Sequence, residues 1–154
     1  MIDLTEIHLT YSAIIDDTMR LALAYLLAFP IGINREHEEH TAGVRTFPIV
    51  AMASCGLAMI GRSVPGASPE SYSRILQGLV AGIGFIGGGA ILRDKVGVSG
   101  TATAASVWSV GIVGAAVGLG VYHIAIMLSV ANLLTLKLLV RFKPPLPRPP
   151  VEPM

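Results

Sequence analysis

Residues 96–136 read VGVSGTATAASVWSVGIVGAAVGLGVYHIAIMLSVANLLTL, 41 consecutive positions without Asp, Glu, Lys or Arg. One helix needs about 20 apolar residues to cross a bilayer, so this stretch holds enough for two crossings and places the chain in a membrane. At its centre stands Gly118-Leu119-Gly120-Val121-Tyr122-His123. The glycines weaken a helix there, and the two amphipathic rings suit the headgroup level, so the reading is two spans joined by a tight hairpin.

The rest of the chain agrees with that solvent. Hydrophobic residues make up 53%, charged residues 14%, and mean hydropathy is +0.67, whereas soluble domains carry about 25% charged residues. A length of 154 residues accommodates one membrane bundle and leaves no room for a separate domain of about 100 residues. A net charge of +1 gives no general attraction to nucleic acid. The lone Cys55 cannot form an internal disulfide and reads as a small hydrophobe. Asp3, Glu6, Asp16 and Asp17 lie where a signal peptide would carry basic residues, so the first helix is expected to stay attached.

Windows free of charge fall at 21–34, 46–61 and 75–92, besides the double window. The expected fold is all-α, a polytopic bundle of five transmembrane helices. The first window covers only about 21 Å at 1.5 Å per residue, which draws Asp16, Asp17 and Arg20 to the membrane boundary, where Asp16 and Arg20, four apart, can neutralise each other. Pro30 is expected to bend that helix. Five spans put Arg35, Arg45, Arg93, Lys95, Lys137, Arg141, Lys143 and Arg148 on one side and Arg20, Arg62 and Arg74 on the other. The basic side is expected to be cytoplasmic, with the amino terminus outside. Residues 1–142 then form the membrane domain. Residues 143–154, with prolines at 144, 145, 147, 149, 150 and 153, read as a disordered cytoplasmic tail.

Gly78-x-x-x-Gly82, Gly84-x-x-x-Gly88 and Gly114-x-x-x-Gly118 lie in the third and fourth spans. Small residues let helix backbones approach in lipid, so close packing of those two spans is the plain reading and a partner face the functional one. Gly87-Gly88-Gly89 could also loosen the helix and expose carbonyls to an ion path. Residues 82–87 match G-x-G-x-x-G, but inside an apolar helix that dinucleotide pattern has no meaning. Thr103, Ser106 and Ser109 form a hydroxyl stripe whose default role is bonding to a neighbouring helix. Ser99 or Thr101 is expected to cap its start. In the first loop, His37 and His40 with the carboxylates between them offer a weak metal site, and a solvated helix extension is the preferred reading. Arg35 and Glu36 stand at the membrane mouth, where charge is costly. They could pair with Arg45, Arg93 or Asp94 from neighbouring loops. No nucleophile with a positioned base is present in the sequence, so an enzyme is not expected.

Four strings in order, Gly32-Ile33-Asn34-Arg35-Glu36, Ala42-Gly43-Val44-Arg45-Thr46, Gly82-Ile83-Gly84-Phe85-Ile86-Gly87-Gly88-Gly89-Ala90-Ile91 and Gly100-Thr101-Ala102-Thr103-Ala104-Ala105-Ser106-Val107-Trp108, resemble the MgtC/SapB family of bacterial inner-membrane proteins. The chain departs from the family pattern at Asn34, where an acid is usual, and at Val44, Gly88 and the Thr101-Ala102 pair. The resemblance implies five helices with a periplasmic amino terminus. It also implies a link to growth at low magnesium and, in pathogens, to survival inside macrophages. Members of the family resemble regulators of other membrane machines, including the F-type ATP synthase. Many carry a cytoplasmic carboxyl-terminal domain where this chain has its proline tail, so it reads as a short member.

Two functions compete. A regulator would bind another membrane protein, or a second copy of the chain, through Gly78, Gly82, Gly84, Gly88, Gly114 and Gly118. A divalent-cation transporter would pass Mg²⁺ near Arg35, Glu36, Arg93, Asp94 and the hydroxyl stripe. The regulator is preferred, with Arg35, Glu36, Arg45, Thr46, Arg93, Asp94, Thr101, Thr103 and Ser106 forming a polar cluster that holds the first, third and fourth helices together. The bilayer is the other partner expected, and no cofactor is.

Overall fold

A computed structural model describes residues 4–38, 42–63, 68–93 and 97–139. Within them lie α1 (Leu4–Glu38), α2 (Thr46–Ser63), α3 (Pro69–Gly89), β1 (Leu92–Arg93), β2 (Val98–Ser99), α4 (Thr101–Gly118) and α5 (Tyr122–Leu139). Of these, α2, α4 and α5 are by length and composition able to cross a membrane. Asp94, the side chains of His37 and His40, and the proline-rich tail lie outside the described residues.

Each helix buries the face its sequence makes smallest or most apolar. On α1 the buried line is Ala24, Ala28, Ile31 and Arg35; on α2 it includes Phe47, Val50, Ala51, Ser54, Cys55 and Ala58. Both recur at the spacing of one helical face. Most of α4 is buried all round, as expected for a central helix. It packs against all four others, while α1 also meets α2 and α5, and α3 also meets α2. The outer face of α5 carries Ile126, Met127, Val130, Leu134 and Leu138 to the exterior, an arrangement suited to lipid.

Contacts fix the helix directions. Ala51 and Cys55 of α2 face Gly114 and Gly118 of α4, an advance of four on both helices, so the two run parallel. Arg20 lies over the Tyr122 ring and Ser129 Oγ donates to Leu27 O, an advance of seven on both, so α1 and α5 run parallel. Ile83 faces Gly111 and Gly87 faces Ala104, opposite in sense, so α3 is antiparallel to α4. Successive helices therefore alternate in direction. The α4–α5 turn is the tight hairpin expected from the sequence: Gly120 takes φ +77, and its N–H bonds to Val117 O at 2.9 Å, closing the orphan carbonyls of α4.

Helix ends differ from the sequence windows for local reasons. The α1 helix runs far beyond 21–34 and continues through Pro30. The α3 helix begins at Pro69, because Ser68 Oγ accepts from Ser71 N–H and proline suits the first turn. It ends at Gly89 because Leu92 pairs with Ser99 in a two-residue ladder. The triple glycine is thus the last turn of a helix and not a break within one. Neither Ser99 nor Thr101 caps α4. Gly100 holds that position at φ +80 with no side-chain cap, and a Cβ there would collide with Ala90 O, so only glycine fits.

Candidate functional site

The first two motif strings form a clasp between α1 and α2. A methyl on Gly32 would stand 3.1 Å from Val44 Cα and 3.2 Å from Gly43 O, so the loop backbone lies directly on the helix. Glu36 Oε2 accepts from Val44 N–H at 2.8 Å, and a Cβ on Gly43 would strike the same carboxylate. Val44 precedes α2 and its N–H has no place in that helix's own ladder, so Glu36 supplies its acceptor. Among the described residues it forms no ion pair with Arg45 or Arg93; its work is loop closure. Glu36→Ala is expected to lower stability by about 1 kcal/mol, and Glu36→Gln, which keeps an acceptor, by less. Thermal unfolding in detergent measures both.

Arg35 is 2% exposed and closes the buried line of α1, its Nη2 donating to Asn34 Oδ1 at 3.2 Å. At the same end of the bundle, α4 turns Thr103 and Ser106 inward. Ser106 Oγ donates to Asn132 Oδ1 of α5 at 3.1 Å, and three residues earlier on α5 Ser129 Oγ bonds Leu27 O at 2.7 Å. Ser54 is buried on α2. Asn132 Nδ2 is buried without a protein partner among the described residues. The result is a polar seam between α1, α4 and α5, with the interhelical bonding that the hydroxyl stripe suggested.

Other members of the expected cluster are not buried with Arg35, Thr103 and Ser106. Arg45, Arg93 and Thr101 are exposed and Thr46 is half-buried. α1 packs on α2, α4 and α5, with no substantial interface to α3, so the seam joins helices one, four and five. Asn132, Ser129 and Ser54 were not singled out from the sequence, because isolated polar residues in apolar windows carry no spacing signal until the helices are paired.

The glycines divide into two groups. Gly114 and Gly118 press on α2: a Cβ on Gly114 would stand 2.8 Å from the Ala51 carbonyl carbon, and one on Gly118 2.5 Å from Cys55 O. The close approach expected between spans three and four is made there by Gly87, where a Cβ would stand 3.1 Å from Ala104 O, and by Gly111 against Ile83. A Cβ on Gly78, Gly82, Gly84 or Gly88 would meet nothing within 4 Å among the described residues. They form two ridges of small residues beside Phe85, which is 85% exposed on the side of α3 opposite Ile83 and Gly87.

The other end of the bundle carries charge. Arg20 Nε and Asp16 Oδ2 pair at 2.9 Å, as their spacing suggested. Arg62 in the last turn of α2 donates from Nη1 to Leu119 O at 3.0 Å, where the negative end of α4 favours a cation. Among the described residues there is no group of three or more His, Cys, Asp or Glu able to hold a metal ion.

A sequence profile of the MgtC family matches residues 21–144. The chain is 37% identical over 131 residues to Protein SrpB of Synechococcus elongatus, covering 77% of this chain and 72% of that one. It is 38% identical over 108 residues to Protein MgtC of Salmonella typhimurium, covering 70% of this chain and 46% of the relative. It is 32% identical over 136 residues to Protein SapB of Bacillus subtilis, covering 84% and 57%. It thus spans about half the length of the latter two. No solved structure matches it closely enough to compare. The matched span takes in the clasp, the α3 glycines and the seam, and with it the chain belongs to the MgtC family.

Proposed function

We propose that the chain is a five-pass protein of the bacterial inner membrane, amino terminus outside, that regulates another membrane protein during adaptation to low magnesium or related stress. The partner docks on the outer face of α3. One observation carries this reading: Gly78, Gly82, Gly84 and Gly88 line a helix face that no described residue covers. In lipid such a face gains dispersion contacts when a second helix seats on it. The alternating helix directions support five crossings, and the excess of Lys and Arg at the Arg35 end supports placing that end in the cytoplasm. The link to magnesium rests on the family.

The rival reading, a Mg²⁺ transporter, meets an electrostatic objection. Mg²⁺ takes oxygen ligands and retains several waters, yet the buried polar residues among those described include Arg35 and no carboxylate. A fixed guanidinium beside the path repels the cargo. Gly84→Leu tests the regulator: it should leave folded yield unchanged and abolish recovery of a cross-linked membrane protein, whereas retention of that complex counts against the face. Proteoliposomes containing the wild-type chain should take up no more Mg²⁺ than empty ones. Saturable uptake lost in Arg35→Ala/Glu36→Ala would replace the regulator with the transporter.

A further inference from the structure

At the end of the bundle away from the clasp, two open cavities lie side by side. One, of about 250 Å³, is polar and lies between α1, the end of α2 and the α4–α5 turn, lined by Asp16, Asp17, Arg20, Arg62 and Ser63. The other, of about 240 Å³, is an apolar groove down α1, walled by Met19, Leu23, Leu26 and Tyr122. Asp16 and Arg20 line both, so the two open cavities adjoin at that ion pair, a charged one beside an apolar one. Arg20 to Leu26 spans about 9 Å along the helix, within one leaflet of a bilayer core about 30 Å thick.

The charges choose the head. Arg20 and Arg62 reach the α4–α5 turn from different helices: their Nη1 atoms lie 3.6 and 4.0 Å from where a Cβ of Gly120 would be. Arg20 is matched by Asp16. Arg62 uses one N–H on Leu119 O and has no carboxylate partner among the described residues, leaving donors in a fork that suits a phosphate. Asp17, also without an ion-pair partner among the described residues, supplies a negative charge in the same cavity. The four charges cancel. An anionic head would be drawn by Arg62 and repelled by Asp17, whereas a head with both a phosphate and a primary ammonium satisfies the two together.

We propose that this pair of cavities is a binding site for a zwitterionic aminophospholipid, with its phosphate on Arg62, its ammonium on Asp17 and one acyl chain along Met19, Leu23 and Leu26. It requires only that α1 meet the bilayer surface at Arg20, and it is independent of the face on α3. The test uses the full chain in mixed micelles of equimolar phosphatidylethanolamine and phosphatidylglycerol, with retained lipids counted by native mass spectrometry. The wild type should retain phosphatidylethanolamine about threefold over phosphatidylglycerol, the scale of one exposed ion pair. Asp17→Asn, at an exposed position with no hydrogen bond or ion pair among the described residues, should bring the ratio to parity. Arg62→Gln should reduce retention of both lipids, and Met19→Trp, which fills the groove, should do the same without altering the ratio. A wild-type ratio at parity, or a ratio unchanged in Asp17→Asn, overturns the proposal. So does displacement of the lipid by soluble glycerophosphoethanolamine alone, which would make the cavity a site for the free head.

Discussion

Gly114→Leu is expected to abolish recovery of folded protein, and Gly114→Ala to lower its unfolding temperature measurably, while Gly84→Leu, an equal change one helix away, leaves both unaffected. The difference lies in what each new side chain meets. At Gly114 even a methyl collides with the Ala51 carbonyl, which is backbone and cannot rotate away. Four residues on, Gly118 lies against Cys55 O in the same manner, so α2 and α4 touch along a line of small residues and cannot pivot about one point to make room. Overpacking a tight site costs about 1–3 kcal/mol even for added methylenes, and in lipid no hydrophobic force makes up for the dispersion attraction forfeited when helices separate. Because α4 packs against every other helix, displacing it from α2 also disturbs its packing on α1, α3 and α5. At Gly84 the added atoms enter open space. Size-exclusion profiles and thermal unfolding in one detergent read the contrast. A Gly114→Leu protein that melts like the wild type would mean that α2 and α4 do not approach as described.

The same pair of glycine motifs marks the boundary of what the sequence made legible. The uncharged run 96–136 announced α4, α5 and the Gly120 turn, because hydropathy and glycine act locally and need no partner. The Asp16–Arg20 pair was equally readable, being one turn apart on one helix. Which helix a glycine faces is a different kind of fact. Gly78-x-x-x-Gly82 and Gly114-x-x-x-Gly118 are alike on paper, yet one is open and the other pressed on α2, since the distinction depends on the rotation of each helix within the bundle. Glu36 was expected to seek a cation, but a backbone N–H eight residues on was nearer. Asn132 and Ser129 gave no signal because each is a single polar residue in an apolar window, and their meaning appears only when α5 lies parallel to α1 and beside α4. Asp17 and Arg20 were readable at the membrane boundary, but that Arg62 joins them was not, since it comes from another helix and converges on them only over the hairpin.

Arg35 separates packing from charge, and three variants at this position are expected to behave differently. Its side chain is among the largest fully buried ones, at the end of a line that otherwise holds Ala24, Ala28 and Ile31. Arg35→Ala should destabilise the fold by about 2–5 kcal/mol, the range for deleting a large buried side chain, and lower folded yield accordingly. Arg35→Met restores most of the volume without the charge. It also leaves the groups that the guanidinium bonds, Asn34 Oδ1 among them, without their donor, so this variant should recover the packing part of the loss only. Arg35→Lys keeps the charge but removes the planar fork that reaches Asn34 Oδ1, and should fall between them. The informative comparison is then function per folded protein. If the Met variant folds but fails to retain the cross-linked partner, or to support growth at low magnesium, the guanidinium acts beyond packing, and the buried seam is coupled to the docking face through α4. If the Met variant is fully active, Arg35 serves only to fill the end of the bundle, and the site lies wholly on α3.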